Sequence, residues 1–158
     1  MAPEDQERHR ELLRSQVLLT DMTLHGGIVA RLQERRDAGK TFDLCNAEDR
    51  SFILQVFLHT ADLSNPCKEW CIHVQWTHAI LAEFFSQGDL ERSLNLGVTP
   101  MLDRQLSCGR SQHKGFFVGF VRPLFVALQH SVPEMSKRLE ACIVELDRNV
   151  AKWTELGF

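Results

Sequence analysis

Tyrosine is absent from this chain of 158 residues, an absence for which composition offers no physical reason. The other shortages exclude more. No apolar run approaches the roughly 20 residues needed to cross a bilayer, so no membrane span is expected. Basic residues are not in excess: 18 Lys and Arg stand against 21 Asp and Glu, a formal net charge of −3. That balance argues against DNA or RNA as a partner, whose footprint is a basic face. The five cysteines, Cys45, Cys67, Cys71, Cys108 and Cys142, are odd in number and lack framework spacing. They read as reduced thiols of a cytoplasmic protein. The start, Met1-Ala2-Pro3-Glu4-Asp5, is acidic and polar, unlike a secretory signal. Strand-like alternation, internal repeats and low-complexity tracts are missing as well.

The apolar residues instead recur at helical spacing. Pro3-Glu4-Asp5 reads as a helix start, with Pro early and acids in the first turn. Leu12, Leu13, Val17, Leu18, Met22, Leu24, Ile28, Val29 and Leu32 then form one amphipathic stripe. Gly26-Gly27 within it predicts close packing or a bend. Residues 37–46 read as a loop, and Asn46 as the cap of a helix carrying Phe52, Ile53, Val56, Phe57 and Leu58. Further helices are expected from Trp70 to Phe85, with Gly88 as a stop, and from about Met101 past Phe120 until Pro123 kinks or breaks it. The last helix opens at Ser131-Val132-Pro133-Glu134, with Ser131 as its cap, and runs to Trp153. The chain is read as all-α, a compact multi-helix array in one domain.

One segment carries most of the chemical information: His59-Thr60-Ala61-Asp62-Leu63-Ser64-Asn65-Pro66. Pro66 confines Asn65 to extended backbone, so the helix stops by there and Asp62 sits at its C-terminal end. A carboxylate is unfavourable at the negative end of a helix dipole unless a cation compensates it. A purely structural His and Asp remain an open alternative. A second cluster, Cys67-x-x-x-Cys71-x-His73, could share a helical face, but no second pair of ligands accompanies it.

Thr-Ala-Asp-Leu-Ser-Asn-Pro at 60–66, Thr20-Asp21-Met22 with His25, and Gly115-Phe116 together resemble the catalytic domain of the class I cyclic-nucleotide phosphodiesterases. The resemblance spans nearly the whole chain but only the C-terminal portion of that HD-type helical domain. It implies metal-dependent hydrolysis of cAMP or cGMP to the 5′-monophosphate, with two divalent ions (Zn and Mg or Mn) in a complete domain. By resemblance Asp62 is a metal ligand, His59 lies behind it, and Asp21 and Met22 lie on the metal and phosphate side. Phe116 matches the ring that stacks on the purine. Ile80, Phe84 and Met101 match apolar pocket positions, Asn65 a polar residue near the base edge, and Trp76-Thr77 a pair beside the pocket. His73 falls where many members have Tyr at the pocket mouth.

Two departures stand out. The family's upstream His-Asn-x-x-His and His-Asp motifs do not occur among the seven histidines, and with them the general-acid His is missing. No catalytic residue is therefore expected in this chain, and one Asp is too few ligands for a zinc site. The family's purine-binding Gln position holds His113, with Gln112 one residue earlier, about 100° away on a helix. These readings imply that the base wall and one metal ligand lie here, and that the N-terminal part of the domain must come in cis or in trans. The alternative is a non-catalytic helical fragment or pseudoenzyme that binds a nucleotide weakly or a protein partner.

Overall fold

The computed structural model describes residues 3–106 and 114–157. The described residues are helices, turns and loops, without a strand. The chain divides into two compact units: Met1–Ser64 with Pro123–Glu140, and Asn65–Arg122 with Ala141–Phe158.

In the first unit, α1 (Pro3–Leu18) begins as its proline and acids predict. The long apolar stripe is not one helix. It breaks at Thr20-Asp21, passes through a 3-10 turn (Met22–Leu24), and resumes as α2 (His25–Asp37). The break is made by Asp21, whose carboxylate caps the turn by accepting from the Thr23 N–H at 2.8 Å. Gly26 and Gly27 are exposed with open space where a Cβ would stand, so they are not close-packing residues. α3 (Ala47–Asp62) starts as expected, with the Asn46 side chain accepting from the N–H groups of Glu48 and Asp49. α1 packs along α3, and Ile28, Leu32, Phe52, Ile53 and Val56 are buried.

In the second unit, a 3-10 turn at Asn65–Cys67 follows the helix end. α4 (Trp70–Ser93) runs past both Phe85 and Gly88. Gly88 serves a different purpose from a stop. It is buried, and an added Cβ there would fall on the Leu102 carbonyl, 2.8 Å from its carbon. Glycine therefore lets the Pro100–Leu102 turn lie against α4. The helix ends instead at Asn95, which adopts the left-handed conformation with φ 54°.

The expected long helix after Met101 is also revised. Asp103 is extended and residues 104–106 form a turn, held by Asp103 accepting from Arg92 at 2.6 Å and from the Gln105 N–H at 2.8 Å. The described chain is helical from Lys114 onward, and Phe117–Val121 form a π-helix in which the Arg122 N–H reaches back to the Phe117 carbonyl. The chain continues directly into α5 (Arg122–Ser131), so Pro123 neither breaks it nor ends it. Proline removes one backbone donor and crowds the carbonyl four residues back; as the second residue of α5, preceded by the wider π turn, it is accommodated.

Ser131 does not cap the last helix. It is buried and donates back to the Ala127 carbonyl at 2.9 Å, closing α5 instead. A 3-10 turn at Pro133–Met135 precedes α6 (Ser136–Glu155). Leu139 of α6 is buried in the first unit, and Ile143, Leu146 and Trp153 are buried in the second.

Candidate nucleotide-binding and metal-ligand residues

In the first unit the residues of interest lie at helix ends. Asp62 is the last residue of α3 and is exposed; its carboxylate makes no hydrogen bond or ion pair among the described residues. One turn earlier His59 is fully buried, with Nε2 2.9 Å from Nδ1 of His25, the first residue of α2. Nδ1 of His59 has no partner. A bare ring nitrogen is easier to bury unpaired than an N–H, so the pair is best satisfied with the proton on His59 Nε2, donated to His25. Burial holds the His59 imidazole below its ordinary range; the neighbouring His25 pushes the same way and Asp62 opposes both. Asp21 spends its carboxylate on the backbone N–H and the hydroxyl of Thr23, bonds that hold it below the usual carboxylate range. Met22 is exposed.

The remaining candidates belong to the second unit. Trp76, Ile80 and Phe84 follow one another at four-residue spacing along α4 and so share a face. Trp76 is exposed, Ile80 and Phe84 half-buried. Met101, in the turn that Gly88 admits against α4, is exposed. Phe116 is half-buried and stacks on Phe120, with ring centroids 5.5 Å apart and planes 21° from parallel. Gln112 and His113 lie outside the described residues. The π-helix, Phe117–Val121, falls after Phe116.

Asn65 is already engaged on both sides of its amide. Oδ1 faces Nδ1 of His73 at 3.2 Å, and Nδ2 donates to Thr77 Oγ1 at 3.3 Å. His73 is not at a mouth: it is fully buried between Trp70, Phe117 and Trp153, and its Nε2 accepts from the Trp153 indole at 2.8 Å. Sequence spacing missed two side chains of α6 that bear on this region. Trp153 is one. The other is Asn149, fully buried, which donates to the carbonyls of Pro66 at 2.9 Å and Lys68 at 2.8 Å and so pins the turn after Asn65. Their only sequence signal was helical placement on an otherwise apolar face.

Among the described residues, no three His, Cys, Asp or Glu side chains come together as a metal site. Cys67, Cys71 and His73 do not form one either. Cys71 is exposed, His73 is committed to Trp153 and Asn65, and burial together with Cys142 pushes the Cys67 thiol up to about 12. The residues present therefore do not fit a complete divalent-metal centre. No single described helix is long and apolar enough to cross a membrane.

Comparison with known proteins bears on what these residues serve. The chain is 37% identical over 121 residues to the 3',5'-cyclic-AMP phosphodiesterase 4C of Mus musculus, a match covering 73% of this chain and 18% of the relative. It is 35% identical over 119 residues to the dual specificity calcium/calmodulin-dependent 3',5'-cyclic nucleotide phosphodiesterase 1B of Bos taurus, covering 75% of this chain and 21% of the relative. The fold matches the structure of LmjPDEB1 in complex with IBMX with a TM-score of 0.86 and 25% identity, over 99% of this chain and 45% of that one. The chain thus spans about a fifth of the length of these curated relatives. The sequence pattern of the 3'5'-cyclic nucleotide phosphodiesterase family matches residues 1–142, and the chain belongs to that family.

Proposed function

We propose that this chain supplies the base-binding wall and one metal ligand of a cyclic-nucleotide phosphodiesterase catalytic domain, and that a complete domain containing it hydrolyses cAMP, cGMP or both to the 5′-monophosphate. The observation that carries this is the joint match of sequence and fold: the family pattern over residues 1–142 and a TM-score of 0.86 over nearly the whole chain. One relative is named for cyclic AMP and another for dual specificity, which supports either nucleotide as substrate. In this reading the helical face of Trp76, Ile80 and Phe84, with Phe116, receives the flat base. Stacking of that kind contributes about 1–3 kcal/mol per base.

The two divalent ions of the complete domain supply electrophilic assistance to phosphate hydrolysis. This chain offers them only Asp62, so their other ligands come from the remainder of the domain. A cytoplasmic location belongs to the same reading, supported by Cys45, Cys67, Cys71 and Cys142 standing as free thiols.

A second reading, a non-catalytic helical module that binds a protein partner, is favoured by one observation. Leu13, Val17 and Leu18 of α1 are 50%, 61% and 63% exposed. In the catalytic reading the rest of the domain covers them.

The test is a chimaera in which this chain replaces the matching segment of the mouse 4C relative, assayed for hydrolysis of cAMP and cGMP with Zn²⁺ and Mg²⁺. Turnover that is lost in Asp62→Ala is the expected result. A folded chimaera without turnover, made from an active parent, counts against catalysis and leaves the partner-binding reading.

A further inference from the structure

In the first unit, α1 and α3 lie side by side and leave a groove of about 400 Å³ between them. From α1 it is lined by Arg8, Glu11, Leu12 and Ser15, which share one side of the helix. Arg50 and Leu54, one turn apart on α3, face them with Ser51 between. At one end Gln55 donates to the Ser15 carbonyl at 3.5 Å and draws the two walls together. Arg8 stands two turns before Ser15, so it lies about 10 Å along the groove from that end. Leu12 and Leu54 are still 38% and 45% exposed and give the groove an apolar floor. Its charges are not paired within it. Arg8 and Glu11 make no ion pair or hydrogen bond among the described residues. Arg50 gives Nη1 to the carbonyls of Leu44 at 2.8 Å and Cys45 at 2.9 Å. These neutral acceptors orient its guanidinium and leave its charge uncompensated. Two positive charges and one negative charge therefore line an apolar floor. Leu13 and Val17 stand about 140° and 180° round α1 from Arg8. The surface that the rest of the domain covers in the catalytic reading is thus on the other side of the helix.

We propose that this groove binds a small amphiphilic carboxylate, with its head group between Arg8 and Arg50 and its alkyl body along Leu12 and Leu54. Size decides against a protein partner: two helical turns offer far less than the roughly 800 Å² per partner of a stable protein interface. The volume instead falls within the roughly 300–1,000 Å³ of small-molecule sites. Charge decides the head group. One excess positive charge matches a monoanion, whereas a phosphate monoester carries about −1.5 to −2 and would leave charge unpaired beside Glu11. A guanidinium presents its donors in the plane and spacing of a carboxylate, and Arg50 is already held in place by the Leu44 and Cys45 carbonyls. The half-buried Ser51 hydroxyl adds a neutral donor on the same wall. The site is separate from the candidate nucleotide and metal residues, so it stands or falls independently of the phosphodiesterase reading.

The test titrates the full chain, with 13C-labelled leucine methyls and 15N-labelled arginine side chains, with octanoate at pH 7 and low salt. The methyls of Leu12 and Leu54 and the Nε signals of Arg8 and Arg50 should shift together and saturate. Octylammonium, of the same length and opposite charge, should bind about tenfold more weakly or not at all. Acetate, which has the head group without the body, should leave the leucine methyls unmoved. Arg8→Gln removes the charge at an exposed position and should weaken octanoate about tenfold, the worth of one charge-assisted hydrogen bond. Absence of saturable shifts at these residues overturns the proposal. Equal binding of octylammonium, or an unchanged affinity in Arg8→Gln, overturns it too, because the groove would then be an apolar patch without a head-group site. Shifts that reach Leu13 and Val17 equally would mark unspecific adsorption and have the same consequence.

Discussion

Nδ1 of His25 and Nε2 of His59 meet at 2.9 Å, joining the first residue of α2 to the last turn of α3. The contact ties the segment after Thr20-Asp21-Met22 to the helix that ends in Asp62, so two of the family's motifs are packed as one piece within the first unit. Only one proton can occupy the contact, and a second would set two N–H donors against each other.

This arrangement sets a pH dependence. The folded-state pKa of His59 lies below its ordinary 6.5, chiefly through burial, with His25 adding to the shift and Asp62 opposing it. The unfolded chain therefore binds the proton more readily than the folded one. The contribution of this group to stability is complete above about pH 6.5 and is lost as pH falls through the depressed folded value. Melting temperatures measured between pH 7.5 and 5 should fall more steeply for the unmutated protein than for His59→Gln, which keeps an N–H toward His25 but cannot titrate. Parallel curves would show that His59 does not carry the effect.

Asp62 makes the opposite case, a charge whose presence costs stability. It stands exposed at the C-terminal end of α3, where the helix dipole is negative, with no ion pair or hydrogen bond among the described residues. Asp62→Asn should leave the fold intact and stabilise it by about 0.3–1 kcal/mol, the usual worth of a charge at a helix end. Denaturant unfolding at low salt measures this. A loss of more than about 1 kcal/mol would mean that the carboxylate holds the fold together, which is the role of an ordinary structural acid.

Local signals were the legible ones. Pro3 and its acids start α1, Asn46 caps α3, and the stretch before Pro100 is a loop as its residues suggest. What sequence could not show were contacts made at a distance. Gly88 has the propensity of a helix stop, and only its approach to Leu102 explains why a glycine stands inside α4. Ser131 resembles a cap for the helix ahead, yet the Ala127 carbonyl behind it takes its hydroxyl first. His73 and Trp153 are 80 residues apart, and no periodicity links them. Motif resemblance points to the candidate residues, whereas only geometry joins Asn65 to His73 and Thr77.

Gly88→Ala separates propensity from packing. On propensity alone alanine should gain about 1 kcal/mol in a helix interior. Here its Cβ would fall on the Leu102 backbone, which cannot swing aside as a flexible side chain could. The expected result is a net loss of about 1–3 kcal/mol, the range for overpacking a filled site. The Pro100–Leu102 turn that carries Met101 should loosen with it, seen as faster amide exchange at Leu102 and Asp103. A stabilised variant would place the turn farther from α4 than described.

Asn149 offers a sharper test of a buried polar group. Its amide donates to two carbonyls of the turn that follows Asn65, while Oδ1 has no partner. Asn149→Ala strands the Pro66 and Lys68 carbonyls and should cost about 1–3 kcal/mol. Asn149→Asp should be worse, because a carboxylate cannot donate to either carbonyl and brings charge into a buried site. Comparing the two variants by denaturant unfolding orders them; an aspartate as well tolerated as alanine would place this site in contact with water.

Cys67 and Cys71 are neighbours in sequence and would react alike if they shared a metal-binding or redox site. The structure separates them. Burial, with Cys142 adding to it, raises the Cys67 thiol to about 12, so at pH 8 almost none of it is thiolate, the form that reacts. Cys71 and Cys45 are exposed. Brief alkylation of the native chain at pH 8, followed by peptide mass mapping, should label Cys71 and Cys45 at least tenfold faster than Cys67. Denaturation should abolish the difference, because the shift comes from the folded surroundings and not from the local sequence. Equal labelling in the native state would mean that the turn after Asn65 opens readily, and with it the seat that Asn149 and His73 provide for Asn65.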